Sequence, residues 1–93
     1  MDKRNVESGL LSKGFKRDDA DHHYFIYYTI NGKKTPVKTK TSHGSAKYKK
    51  LGAPLLSQMA RQCHLTKQDF EDLVKCPLTR EAYEKQLMQQ GQI

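Results

Sequence analysis

The chain lacks any apolar run approaching the ~18 residues that cross a bilayer, and its start, Met1-Asp2-Lys3-Arg4-Asn5, lacks the apolar core of a signal peptide. Those two absences lead to the expectation of a cytoplasmic protein with no membrane association. Cysteine is scarce: Cys63 and Cys76 are the two in the chain, with no CxxC pair. They read as a buried thiol and a loop thiol, neither a disulfide framework nor a zinc site. His64 beside Cys63 does not change this, because adjacent helical residues point about 100° apart and no second Cys/His pair completes a tetrahedron. No metal or other cofactor is expected. Repeats and low-complexity segments are also missing. A length of 93 residues, 35% hydrophobic and 29% charged, makes one small domain with a thin core and argues against a large enclosed pocket.

Acidic residues are absent where basic ones are densest. Residues 1–50 hold twelve Lys/Arg against five Asp/Glu, whereas residues 51–93 hold five of each, so the whole excess of +7 lies in the first half. Within it, Lys33, Lys34, Lys38, Lys40, Lys47, Lys49 and Lys50 follow one another with no acid between them. In isolation such a run is an ordinary solvated face. Gathered on one hairpin and the loop after it, the same lysines attract a polyanion, and nucleic acid is the natural candidate. A membrane surface fits less well, since the patch is on strands and has no apolar helical face.

The hairpin is read from Asn31-Gly32, a pair that tolerates the positive φ angles of a two-residue turn, set between two β-rich runs. Residues 24–30 hold aromatic and β-branched side chains almost without interruption, as a central strand does. His22 and His23 open that strand and point to opposite faces. After the turn, Lys34, Pro36, Lys38 and Lys40 project one way, and Thr35, Val37, Thr39 and Thr41 the other. Pro36 cannot donate a ladder hydrogen bond and places this strand at a sheet edge, where lysines also discourage stray pairing. Tyr24, Tyr27 and Tyr28 offer rings for stacking on unpaired bases, with at least two of the three expected in the core.

Around the hairpin, residues 5–13 read as a short helix with Val6, Leu10 and Leu11 inward and Gly14 as its left-handed stop. Residues 15–18 form a first strand, 42–52 a basic loop, and 54–64 a helix with Leu56, Met59, Ala60 and Cys63 on one face. His64 falls at that helix's end, where an imidazolium suits the dipole. Thr66 to Asp69 resembles an N-terminal cap for a helix that buries Phe70, Leu73 and Val74. Thr79 caps a last helix through Gln89, using Ala82, Tyr83 and Leu87 and stopped by Gly91, with the final four residues frayed. The fold class is α+β: an α-β-β-β-α layout with a three-stranded antiparallel sheet, helices on one face, and a C-terminal helical extension. Residues 1–65 form the core unit, and residues 66–93 form a two-helix extension packed into the same single domain.

These elements resemble the HicA family of toxins over roughly residues 3–65. The resemblance lies in a helix ending in Gly14-Phe15, a polar turn, the His22-His23-aromatic strand, a Gly-Lys hairpin with a Pro36-Val37 return, the Ser42-His43-Gly44 loop and a closing Leu-rich helix. The chain has Ala20-Asp21 where the family typically has Gly-Ser. The resemblance implies a double-stranded-RNA-binding-like fold, cleavage of mRNA, and inhibition by a HicB-like antitoxin as protein partner. It further implies that one of His22 and His23 is catalytic, with His23 favoured because the family residue follows a small polar residue and one spacer.

The chemistry can be stated without the family. RNA carries its own nucleophile, the 2′-hydroxyl, so cleavage needs a group that exchanges protons near neutral pH and cations that stabilise the phosphorane. Histidine has the right pKa and lysine the right charge. Period two forbids His22 and His23 from sharing a face, so one belongs to the site and the other to the scaffold. His43 is either a further RNA contact and proton-transfer group or a solvated loop histidine. Two other functions remain open at this level: a non-catalytic RNA-binding module of the same fold, and a basic docking domain for an acidic protein.

Overall fold

The computed structural model describes residues 2–20, 24–41, 52–75 and 77–93. The described elements run α1 (Lys3–Ser12), β1 (Phe15–Arg17), β2 (Tyr24–Tyr28), β3 (Lys34–Lys40), α2 (Ala53–Gln62), α3 (Lys67–Lys75) and α4 (Arg80–Gln89). The protein is α+β, and the described residues form four helices and a three-stranded antiparallel sheet in the order β1-β2-β3. The predicted basic loop over 42–52, apart from Gly52, lies outside the described residues, as do the histidine pair and Cys76.

Helix α1 begins two residues earlier than its apolar pattern predicts, because the Asp2 carboxylate accepts from the Arg4 backbone N–H at 2.8 Å and supplies the cap. It ends at Gly14, whose φ of +97° is the left-handed stop expected there. Val6 and Leu10 are buried, but Leu11 is 44% exposed instead of inward, since it lies a further 100° round the helix from Leu10. Gly9 lets α1 approach α3: a Cβ on it would meet the Val74 carbonyl oxygen at 2.6 Å. Lys13 follows α1 and is itself buried. Its ammonium donates to the carbonyls of Leu73 at 2.6 Å and Leu78 at 2.9 Å, which serves an orphan acceptor in the last turn of α3 and another in the connection to α4.

The hairpin differs from the two-residue turn expected at Asn31-Gly32. Gly32 alone has positive φ, +85°, and Asn31 does not. The Gly32 N–H donates to Thr29 O at 2.8 Å, and the Thr29 N–H to Lys33 O at 2.9 Å. This is a three-residue loop, a tight turn followed by a left-handed glycine. Strand β2 accordingly ends at Tyr28, two residues short of the predicted 24–30 run. The register is regular from Tyr24↔Lys40 to Ile26↔Lys38 and then shifts before Tyr28↔Lys34. The shift brackets Pro36, as its missing donor requires on an edge strand. There Thr35 Oγ1 donates to the Tyr27 carbonyl at 2.6 Å, a side-chain bond within the irregular stretch.

Beyond the sheet, α2 buries Leu56, Met59 and Ala60, with Cys63 just past its end, as the heptad-like spacing predicts. His64 adopts φ +63°. Its N–H donates to Arg61 O at 3.0 Å and the Leu65 N–H to Ala60 O at 2.9 Å, which is a Schellman closure. The position therefore acts through its backbone, and an L side chain stands where glycine is usual. The Asp69 N–H donates to Thr66 Oγ1 and the Ala82 N–H to Thr79 Oγ1, so both predicted caps form. Helix α4 buries Tyr83 and Leu87, while Ala82, expected inward, is exposed. Past its end, Gln92 N–H donates to Leu87 O at 2.9 Å around a left-handed Gly91, so the last turn is closed where fraying was expected.

The core joins every element. Tyr83 of α4 stacks on Phe15 with centroids 5.9 Å apart and meets Tyr27 edge-on at 5.2 Å, and its hydroxyl donates to Cys63 O at 2.9 Å. Phe25, Tyr27 and Val37 extend that cluster across the sheet to α1, α2 and α3. All the buried strand residues of this cluster point to the same side, toward the helices.

Candidate nucleic-acid interface

The other side of the sheet is defined by strand parity. Phe15 faces the core, so Lys16 faces away; the register puts Lys16 beside Ile26 and Ile26 beside Lys38. Tyr24 lies opposite Lys40, and Tyr28 opposite Lys34. The outer face is thus an apolar strip on β2, Tyr24-Ile26-Tyr28, flanked by Lys16 on β1 and by Lys34, Pro36, Lys38 and Lys40 on β3. The alternation read from residues 34–41 is present as expected: Lys34, Pro36 and Lys38 are exposed, Lys40 half-buried, and Thr35, Val37, Thr39 and Thr41 buried.

Lysines and rings are in contact across this face. Lys16 Nζ stands 4.5 Å from the Tyr28 ring centroid, and Lys38 and Lys40 Nζ each stand 5.2 Å from that of Tyr24. Such cation–π contacts hold flexible ammonium groups over the apolar strip. Tyr24 and Tyr28 are half-buried, and only Tyr27 of the three hairpin tyrosines enters the core, fewer than the two expected there. Lys16 was not among the residues expected to bind RNA. Its signal is the parity of a three-residue strand anchored by Phe15, which becomes readable only once Phe15 is known to be buried.

Lys33 separates from this group. It sits in the hairpin loop, exposed, and with Thr29, Asn31, Lys34, Pro36 and Met88 it lines a cleft of about 370 Å³ between the hairpin and α4. The other predicted site residues, His22, His23, His43, Lys47, Lys49 and Lys50, lie outside the described residues. In sequence, the histidine pair directly precedes Tyr24, the first residue of β2.

The scaffold beneath the face is held by polar contacts from α4. Glu84 Oε1 accepts from the Tyr27 hydroxyl at 2.7 Å and the Ile30 N–H at 2.9 Å, while Arg80 donates to the carbonyls of Tyr28 at 3.0 Å and Thr29 at 2.9 Å. Burial, reinforced by the bond to Glu84, pushes the Tyr27 phenol up to about 12. On the outer edge of β3, Gln62 Oε1 accepts from Thr39 Oγ1 and from the Lys40 N–H, which satisfies an edge donor. At the end of the sheet where β2 begins, Glu7 accepts from Thr41 Oγ1 at 3.0 Å and pairs with Arg17 at 3.3 Å.

Among the described residues, no group of three or more His, Cys, Asp or Glu is placed to hold a metal ion, and no helix is long and apolar enough to cross a membrane. Comparison of the chain with protein families, with curated proteins and with solved structures finds no match. The reading of this face therefore rests on its own chemistry. A row of ammonium groups over aromatic rings, bordered by Asp18 where the β1 register continues beside Tyr24, suits a ligand that offers repeated negative charge and flat apolar groups together. Nucleic acid has both.

Proposed function

We propose that the protein is an RNA-binding endoribonuclease of the HicA toxin type, with a double-stranded-RNA-binding-like fold, that cleaves mRNA without a metal in the cytoplasm and is restrained by a HicB-like antitoxin. The observation that carries this reading is the lysine–tyrosine outer face of the sheet, whose central strand begins one residue after His23. The α-β-β-β-α order of the first five elements agrees with the fold that the sequence resemblance implies.

In the proposed reaction the face binds the RNA backbone and one histidine of the pair, His23 before His22, exchanges the protons. The imidazole takes the proton of a 2′-hydroxyl as its oxygen attacks the adjacent phosphorus. The P–O5′ bond breaks, and a proton returns to the departing 5′-oxygen. The lysines stabilise the added negative charge of the phosphorane.

The test is to incubate the purified protein with RNA in EDTA, alongside His22→Ala and His23→Ala. One variant is expected to lose cleavage by at least about a hundred-fold while keeping RNA affinity and thermal stability. Cleavage that survives in both variants overturns the histidine mechanism. Binding without cleavage by the wild type reduces the function to that of an RNA-binding module.

A further inference from the structure

The outer face also bears on the form of the RNA. Resting on the RNA-binding reading above, we infer that this face takes single-stranded RNA, with unpaired bases stacked on Tyr24 and Tyr28 and the strand's phosphates held by Lys16, Lys34, Lys38 and Lys40. The fold that the sequence resembles would suggest a duplex, recognised by its shape and its 2′-hydroxyls. The geometry here favours unpaired bases for three reasons.

The first is access. Tyr24 and Tyr28 are half-buried and share the outer face of β2, on either side of Ile26. Bases inside a duplex have both faces covered by their neighbours, so an aromatic ring reaches them only in an unpaired strand. The second is spacing. Four residues along a strand separate the two rings by about 13 Å, roughly four times the ~3.4 Å step between stacked bases in a helix. Bases on the two rings are therefore not stacked neighbours, and the strand must be splayed across the sheet. Ile26 lies between the rings but is itself buried, at 6% exposure, so the two tyrosines are the ring surfaces that β2 presents.

The third is how the cations are placed. Lys16 stands over Tyr28, and Lys38 and Lys40 over Tyr24, so each ring already has an ammonium at its face. Lys34 is the cross-strand neighbour of Tyr28. An exposed cation–π contact is weak, so a base can displace the ammonium from the ring while the lysine swings to the adjoining phosphate. The ring exchanges one partner for another and the lysine gains a full counter-charge. Every residue named in this exchange is outside the core cluster.

The experiment uses a sixteen-nucleotide 2′-O-methyl oligonucleotide, which has no free 2′-hydroxyl to react, as a single strand and annealed to an unmodified RNA complement, which keeps its 2′-hydroxyls for duplex recognition. Affinities are measured for the wild type, Tyr24→Leu, Tyr28→Leu and the two Tyr→Phe variants, with thermal unfolding as a control. The single strand is expected to bind more tightly than the duplex. Each leucine variant should lose about ten-fold in single-strand affinity with little change toward the duplex, and each phenylalanine variant should retain affinity. Leucine variants that fold and bind the single strand as the wild type does would overturn the stacking, as would tighter binding of the duplex or equal affinity for polyglutamate of matched charge. These outcomes are distinct from failure of the cleavage reading, which leaves binding and its tyrosine dependence intact. A wild type that binds neither nucleic acid form would remove both.

Discussion

The two faces of one three-stranded sheet are made from the same few residue types and put them to opposite use. Tyr27 and Tyr83 are fully buried, fixed by aromatic contacts and by hydrogen bonds to Glu84 and the Cys63 carbonyl. Tyr24 and Tyr28, on the outer face, meet lysine ammonium groups instead. Lysine divides in the same way: Lys13 is 8% exposed and serves two backbone carbonyls, whereas Lys38 is exposed and serves a ring. Residue identity does not decide the role. The parity of a strand and the position of a helix end do.

Substitutions that exchange the faces' properties test that division. The largest effect is expected at Phe25, at 0% exposure on the inner face: Phe25→Ala should cost about 3–5 kcal/mol of stability in a urea titration. On the outer face, Lys38→Ala should stay within about 0.5 kcal/mol. Equal costs at the two positions would erase the distinction between scaffold and surface. Next comes lysine itself. Lys13→Met leaves the Leu73 and Leu78 carbonyls without their donor and should cost about 2–3 kcal/mol, while Lys38→Met leaves stability nearly unchanged and weakens RNA binding.

Alkali should weaken the fold through the buried Cys63, Tyr27 and Tyr83. Burial raises Cys63 from its ordinary 9.0 to about 12 and Tyr27 from 10.0 to about 12, and it raises Tyr83 further still. The fold holds all three protonated, whereas the unfolded chain releases their protons first. Their contribution to stability is therefore complete below pH 9 and is lost as pH rises from there through about 12. Under reducing conditions, Cys63→Ala should move the onset of that loss toward pH 10, the ordinary value for tyrosine. An onset that does not move would remove the thiol from the account. The smallest effect is expected at His64, where glycine suits the +63° φ better: His64→Gly should add about 0.5–1 kcal/mol without changing RNA affinity.

The sequence disclosed this division unevenly. Residues 34–41 alternate so strictly that both faces of β3 could be read directly, and the caps at Thr66 and Thr79 were legible because their hydroxyls act locally. β2 was harder. Its unbroken aromatic run hides parity, so Tyr24 and Tyr28 could not be separated from Tyr27 until Phe25 and Tyr27 were seen to be buried. The hairpin loop was misjudged because Asn31-Gly32 suits two turn types, and the choice depends on the register that Pro36 disrupts. Lys13 and Glu84 hold partners more than fifty residues away, at Leu73 and Leu78 and at Tyr27 and Ile30. No local pattern announces such pairs. For the proposed cleavage, the sequence offers His22 and His23 as candidates, and the cleavage assay tests both.

The most direct measurement is an NMR titration of the tyrosine ring signals with the unreactive single-stranded oligonucleotide. Four of the tyrosines are placed, two on each side of the sheet's function: Tyr24 and Tyr28 outside, Tyr27 and Tyr83 within. The account predicts that the signals of Tyr24 and Tyr28 shift in proportion to occupancy while those of Tyr27 and Tyr83 stay in place. Saturable binding that leaves Tyr24 and Tyr28 unmoved would contradict it.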